Sequence, residues 1–485
     1  MTTIDIQYLD EVFAKVNCDL GVARELTEKF KFQVPGYQFT PRYKSGFWDG
    51  YIYLFSPKTR KIYRGLLNYV KAYCDENGYE YRIPPGKSNE FTLEDVRQYI
   101  AWIRIPERFE IRDYQLDSIL DCVNNQRRLT VSPTGSGKSL IIYVLSRFHS
   151  SCGKVLIIVP NVGLVNQMTN DFYDYGYDIN NVHRIYSGQE KDSDYPITIS
   201  TWQSIYKMPK EWFNQFSTVI GDEAHKAKAA NLKAILEKMT NTPYRYGFTG
   251  SLDGTLTHKM VLEGLFGPYV KHVSTAELID KKVLSDLLIR VMLIKHDEET
   301  SKDVALNKDY HHELATLVAN EKRNDLIAKI ASSLEGNVLV LYQFVEKHGA
   351  ILYDKIKNLS VDHDKPVYFI HGKIESTERE DVRLDVNKRK YSVTVASMGC
   401  FAEGINIPNL DYIVLASPTK SRIRVMQMIG RGLRRTDSKN ECVVIDLADD
   451  LSYRKRQNFT LKHYAERLKY YNEENFRYTQ HRIEL

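Results

Sequence analysis

This chain of 485 residues has no apolar run of the roughly 18 residues that a membrane helix needs, so no span is expected. Its start, MTTIDIQYLDEVF, lacks a basic lead and an apolar centre. No export signal is read there, and a cytoplasmic location is expected. Cysteine is sparse. Cys18, Cys74, Cys122, Cys152, Cys400 and Cys442 include no C-x-x-C pair, which excludes a zinc ribbon and a disulfide framework. They read as reduced thiols. No short-period repeat is present. No paired-carboxylate cluster outside the nucleotide motifs described below marks a nuclease. A formal net charge of +5 is too small to argue for nucleic acid by itself.

The apolar fraction of 43% is enough for real cores. At roughly 100–200 residues per domain the length suggests about three domains. The sequence divides accordingly. Residues 1–104 carry no nucleotide motif and read as a small α+β domain, with strands around a Gly-rich turn over Tyr37–Phe55 and helices over Arg64–Tyr79 and Leu93–Ile103. Over 105–282, short apolar strands at Leu129–Val131, Val155–Val159, Ile197–Ser200, Thr218–Ile220 and Tyr246–Phe248 alternate with helical runs. The rhythm resumes at Val338–Leu341, Val367–Ile370, Val393–Ala396, Tyr412–Leu415 and Val443–Ile445, giving a second α/β lobe over 283–450. Such alternation implies mostly parallel sheets with helices on both faces. The charged stretch from 283 to about 322 reads as the connection between the lobes, and 451–485 as a basic, aromatic, helical tail.

Two motifs lie beyond carboxyl ends of strands, where ligands of such sheets bind. The first is SPTGSGKS, comprising Ser132, Pro133, Thr134, Gly135, Ser136, Gly137, Lys138 and Ser139. Its backbone N–H groups and the following helix N-terminus form a phosphate cradle. Lys138 brings charge to the β and γ phosphates, and Ser139 offers a hydroxyl to magnesium. Ser132 stands where the general pattern has Gly. The second motif is DEAH, Asp222–His225. Asp222 is expected to hold magnesium indirectly and Glu223 to orient or deprotonate the attacking water. His225 is a candidate for coupling the lobes. ATP and Mg2+ are therefore the expected cofactors. Arg431 and Arg434 in QMIGRGLRR are expected on one face of a helix, as arginine fingers.

In this order the motifs resemble those of the superfamily 2 helicases, over about 110–447. The resemblance implies two RecA-like lobes. It makes Gln115 of IRDYQ the reader of the adenine and the segment containing Thr249, Gly250 and Ser251 the link from hydrolysis to strand movement. Asn161, Thr201, Gln203 and Ser397 become nucleic-acid contacts. Gly404, in ASMGCFAEGINIP, joins the nucleotide site, and Gln427 joins the two arginines. Many relatives carry Asp where Asn406 stands. Residues Pro35–Phe55, Asn161–Met168, Ser200–Ser204 and Pro209–Phe216 also look like those of recombination helicases of large tailed phages. That likeness implies 3′-to-5′ remodelling of branched DNA in recombination, repair and replication: forks, Holliday junctions, displacement loops and RNA–DNA hybrids. It also implies recombination and single-strand-binding proteins as partners, in a host cytoplasm.

The distribution of charge supports a nucleic-acid partner. Between Lys31 and Lys71 eight Lys or Arg face one acid, Asp49, and eleven aromatics lie among them. Cations neutralise phosphates and aromatics stack on unpaired bases. Arg42, Lys44, Trp48, Arg60, Lys61 and Arg64 are the candidate contacts. Most of Phe39, Trp48, Tyr51, Tyr53 and Phe55 are expected to fill a small core. Three alternatives remain: a double-stranded DNA translocase that separates no strands, an RNA helicase, and a non-enzymatic strand-annealing or architectural DNA-binding protein.

Overall fold

The computed structural model describes residues 3–485 except 87, 187, 193, 229, 361–364, 404–406, 408, 436–438 and 440. The chain divides into two compact units, Met1–Ser132 with Gly137–His272, and Val273–Leu485 with Pro133–Ser136.

In the first unit, seven parallel strands run in the order Tyr269–Val270, Arg127–Val131, Tyr244–Thr249, Phe216–Gly221, Lys154–Val159, Ile197–Thr201, Val182–Ile185. The five strands expected in 105–282 are all present. The interior ones are buried on both faces, which is why they read as continuous apolar runs rather than alternations. A separate four-stranded mixed sheet, in the order Lys61–Tyr63, Phe13–Asn17, Ile4–Tyr8, Tyr81–Arg82, forms the N-terminal domain. It packs on the first lobe as part of the same unit. Tyr63 donates to Glu237, and Tyr69 donates to Glu263 at 2.7 Å while Glu263 also accepts from the Tyr269 N–H. Gly65 lies so close to the Glu263 carbonyl that a Cβ would stand 1.9 Å from it.

The segment Tyr37–Phe55 departs from the expected strands. Only Tyr51–Tyr53 is a strand, paired with Lys31–Gln33. Between them lie a 3-10 turn, Tyr37–Phe39, and a short helix, Pro41–Lys44, capped by Thr40 and started by Pro41 at its first position.

The second unit also holds seven parallel strands, in the order Val367–Ile370, Ser392–Ser397, Asn337–Tyr342, Tyr412–Leu415, Glu441–Asp450, Asp286–Lys295, Arg477–Glu484. Two expectations are corrected here. The stretch from 283 to 322 is not a loose connection: it supplies the ten-residue strand Asp286–Lys295 and the helices Glu298–Asn307 and Tyr310–Ala319. Its acids are helix-start signals. Asp297 caps the Thr300 N–H, and Glu298 and Glu299 occupy the first turn. The tail has the expected helix, Phe459–Glu473, but ends in the strand Arg477–Glu484, which pairs with Asp286–Lys295. An edge strand exposed over most of its length carries polar residues and hides its period.

Buried ion pairs fasten this unit. Arg467 on the tail helix makes two bonds to Asp446, of 2.9 and 2.8 Å, and donates to the Thr419 carbonyl at 2.8 Å. Arg323 likewise grips Asp449, which His296 also contacts at 3.0 Å. Burial alone would raise the Asp449 carboxyl, but Arg323 and His296 hold it well below the usual range. The tail therefore packs on the second lobe.

Candidate nucleotide site and nucleic-acid contacts

Strands Arg127–Val131, Tyr244–Thr249 and Phe216–Gly221 are consecutive neighbours. Their carboxyl ends bring Ser132–Ser139, Thr249–Ser251 and Asp222–His225 side by side. Gly135 and Gly137 have φ of 83° and 81°, the left-handed region that glycine enters without strain. Gly137 caps the helix Lys138–Ser150. A Cβ at Gly137 would stand 2.3 Å from Gln115 Nε2, so the Gln115 amide lies against the loop. Gln115 is itself oriented: its Oε1 accepts from the Arg112 N–H at 2.9 Å. Lys138 Nζ donates to the Ser132 carbonyl at 3.0 Å. Ser139 Oγ lies 2.9 Å from the hydroxyl of Tyr175, a contact that no motif in the sequence announces.

Asp222 and Glu223 are half-buried at the end of their strand. Asp222 Oδ1 accepts from the Glu223 N–H at 2.9 Å. Glu223 has φ of 50°, an uncommon conformation for a residue with a Cβ and one found at functional turns. Loss of water around Asp222, with the Glu223 charge beside it, pushes its carboxyl up. Burial acts the same way on Glu223, but His225 and Lys138 outweigh it and hold that carboxyl down. A base kept ionised beside a carboxylate with too little neutralising charge suits a divalent cation. Asp222 and the Ser139 hydroxyl are hard oxygen donors of the kind magnesium takes together with substrate phosphates. Among the described residues no group of three or more His, Cys, Asp or Glu would hold a metal alone.

A polar chain leaves this pair. His225 Nδ1 lies 3.2 Å from Glu223 Oε2 and 3.0 Å from Thr249 Oγ1. Thr249 Oγ1 donates to the Ser251 carbonyl at 3.0 Å. His258 Nε2 sits 2.9 Å from the His225 carbonyl, and its Nδ1 lies 3.0 Å from Asp253. The sequence reading missed Asp253 and His258; their spacing of five residues carries no motif. Gly250 stands in the bend between Thr249 and Ser251.

In the second unit Gln427 and Arg431 occupy the helix Arg422–Gly432, one turn apart on one face. The Arg431 guanidinium lies over the Phe401 ring at 5.5 Å. Arg434 is not on that helix, as its spacing had suggested. The helix ends at Gly432, and Arg434 forms an isolated bridge with Leu284. Gly404 and Asn406 lie outside the described residues.

The nucleic-acid candidates divide. Asn161 caps the helix Val162–Asp174 through the Leu164 N–H, and Gln203 donates to the Pro160 carbonyl at 2.9 Å, so both stand at the carboxyl ends of adjacent strands. Thr201 is buried, its hydroxyl 2.8 Å from that of Ser204. Ser397, in the second unit, is nearly buried and accepts from the Cys400 N–H. On the N-terminal domain Arg42 and Lys44 are exposed. Trp48 is half-buried and donates to the Tyr51 carbonyl at 2.7 Å. Arg60 donates to the Asp19 carbonyl, Lys61 lies over the Phe13 ring at 4.2 Å, and Arg64 pairs with Glu11 at 2.7 Å while stacking on Tyr8. Of the aromatics expected in the core, Phe55 is there, but Phe39 is 73% exposed, and the neighbouring Phe47 is 88% exposed.

Comparison with known proteins agrees with this geometry. Residues 3–84 match the family described as DNA helicase UvsW, N-terminal; 108–253 match type III restriction enzyme, res subunit; 321–436 match the helicase conserved C-terminal domain. The chain is 32% identical to the ATP-dependent DNA helicase uvsW of Enterobacteria phage T4, over 99% of this chain and 100% of that protein. It is 24% identical to a DNA 3′-5′ translocase, XPB2 of Sulfurisphaera tokodaii, over 74% of this chain and 87% of that one. The crystal structure of T4 UvsW aligns with a TM-score of 0.52 at 32% identity, over 99% of each chain.

Proposed function

Because this chain belongs to the UvsW family of superfamily 2 helicases and is an ATP-dependent DNA helicase of that type, we propose that it remodels branched DNA, moving 3′ to 5′ on one strand while its N-terminal domain grips the duplex or branch. The likeness to a 3′-5′ translocase supports the polarity. The observation that carries the branch reading is the N-terminal sheet. The domain built on it forms one unit with the first lobe, and its segment between Gln33 and Tyr51 presents Arg42, Lys44, Phe39 and Phe47 to solvent. A second grip fixed to a moving lobe is what a junction motor requires.

In this reading the cradle Ser132–Ser139 and Gln115 bind ATP. When bound, magnesium would be held by Ser139 and the substrate phosphates, with Asp222 holding it indirectly, and would neutralise charge on the transferred group. Glu223 accepts the proton of the attacking water as its oxygen bonds to the γ-phosphorus and the bridging bond to the β-phosphate breaks. Gln427, Arg431 and Arg434 are assigned the developing charge on the γ-phosphoryl group. The match of 321–436 to the helicase C-terminal family and the common face of Gln427 and Arg431 support that assignment. The chain from Glu223 through His225 and Thr249 to Ser251 supports a coupling role for the last three. Asn161, Thr201, Gln203 and Ser397 are assigned to the tracked strand. Recombination and single-strand-binding proteins are the proposed partners, and the host cytoplasm the proposed location.

The test is ATP hydrolysis and strand separation on single-stranded DNA, blunt duplex, a four-way junction and single-stranded RNA at one salt concentration. Stimulation by single strands and junctions with strand separation supports the proposal. Stimulation by blunt duplex alone, without separation, means a translocase; preference for RNA means an RNA helicase.

A further inference from the structure

A cavity of about 710 Å³ opens in the first unit where the N-terminal domain meets the Arg127–Val131 strand, away from the phosphate loop. Arg64, Lys71, Arg82, Arg127 and Arg128 line it, and no carboxylate does so among the described residues. Arg128 is held by Asp121 through two contacts at 2.9 and 2.8 Å. Lys71 and Arg82 are exposed and reach into it from the N-terminal domain.

The charge beneath this cavity is unbalanced. Glu11 accepts from Arg64 at 2.7 Å and from Arg127 at 2.6 Å, so one carboxylate serves two arginines. The Arg127 side chain is nine-tenths buried, and its Nη1 is enclosed with no hydrogen-bond partner. Arg245, on the adjacent strand and paired in register with Arg127, is fully buried and spends its donors on the carbonyls of Leu265, Met239 and Leu236. Arg245 touches no carboxylate and feels Glu11 and Asp10 only through space, so Glu11 is the one carboxylate in contact with this group of three arginines among the described residues. Burial and the neighbouring Arg64 pull the Arg127 guanidinium down to about 10, which still leaves it charged at neutral pH. A buried cation with an unused donor is costly unless an anion meets it. Guanidinium forks match phosphate oxygens.

We propose that this cavity is a phosphate-binding site, distinct from the nucleotide site, in which Arg127 and Arg64 form the floor and Lys71 and Arg82 the rim. The shared chemistry is a phosphate group. Its source is either the backbone of a DNA strand crossing the seam between the N-terminal domain and the first lobe, or a free polyphosphate.

The test uses the full chain with Lys71→Ala and Arg82→Ala combined, since both side chains are exposed and surface substitutions of this kind change stability little; an unchanged melting temperature without ligand checks that the fold is kept. Binding of fluorescein-labelled forked DNA is measured across a salt series. Stabilisation by sodium tripolyphosphate is measured in a Lys138→Ala background, so that the phosphate loop is altered equally in both proteins. If DNA is the source, affinity at fixed salt falls about tenfold and the salt slope drops by about two. The swap Lys71→Arg with Arg82→Lys restores both. If a free polyphosphate is the source, the rise in melting temperature with tripolyphosphate shrinks in the double variant and DNA binding is unchanged. Unchanged DNA affinity and slope together with full tripolyphosphate stabilisation overturn the proposal, as does a loss of DNA affinity with the slope intact. None of these outcomes depends on strand separation, so the site can fail while the helicase reading stands.

Discussion

The nucleotide edge of the first lobe and the basic N-terminal segment were both conspicuous in the sequence, yet they differ in how their side chains are used. At the nucleotide edge the residues stand where their types imply: glycines at positive φ, Lys138 folded over its own loop, Glu223 in reach of His225. In the N-terminal segment the roles are partly exchanged. Phe39 and Phe47 face solvent, while Arg64 is held inside by Glu11 and Tyr8. A motif whose chemistry depends on backbone geometry constrains every residue in it. A composition bias constrains none, and packing decides which cation is buried and which ring is exposed.

The largest effect expected is at the nucleotide edge. Lys138→Ala should reduce ATP turnover by on the order of a thousandfold or more and leave the chain folded, as a thermal melt checks, because the side chain reaches over its own loop to the Ser132 carbonyl rather than into a core. Retained turnover would remove the loop from catalysis. Arg434→Ala comes next. An arginine finger contributes about a thousandfold in rate, so kcat should fall while nucleotide affinity stays near its parent value. A loss confined to affinity would make Arg434 a binding residue, in line with its place beyond the end of the helix.

A smaller pair of effects separates the two kinds of cation in the N-terminal segment. Combined Arg42→Ala and Lys44→Ala should weaken forked-DNA binding, reduce its salt slope by about two and leave melting unchanged. Arg64→Ala should instead destabilise the first unit by roughly 1 kcal/mol, through loss of its bonds to Glu11 and the Asp10 carbonyl and of its stacking on Tyr8, while Glu11 keeps Arg127. If Arg42 and Lys44 change melting and Arg64 does not, the division drawn between them is reversed.

Much of the architecture was legible. The buried strands of both lobes announced themselves as short apolar runs, and helix Leu93–Ile103 coincides with its apolar spacing. What stayed hidden had physical reasons. Strand Arg477–Glu484 is an edge strand, mostly solvated, with no buried face to impose a period. Strand Asp286–Lys295 was obscured by the acidic helix start that follows it. Tyr175 and His258 touch the site from elements far away in sequence, and only the fold brings them there.

The helix Lys138–Ser150 puts the same contrast into one element and yields the smallest effect. Its first residue belongs to a motif; His149, at its other end, belongs to none. His149 is 2% exposed, and its Nε2 lies 3.1 Å from the Tyr246 hydroxyl. Burial lowers its pKa from 6.5 to about 4. The folded chain therefore takes up this proton less readily than the unfolded chain does. The stability that the neutral ring contributes is complete above pH 6.5 and is lost as pH falls from there to about 4, by roughly 3 kcal/mol. His149→Phe removes the titration while keeping a ring in place, and the Tyr246 hydroxyl keeps the Cys122 and Asn125 carbonyls as partners. The melting temperature of the first unit should then fall less steeply between pH 6.5 and 4 than in the parent protein, with hydrolysis at neutral pH unaltered. An equally steep fall would place the titrating group elsewhere and leave His149 as packing alone.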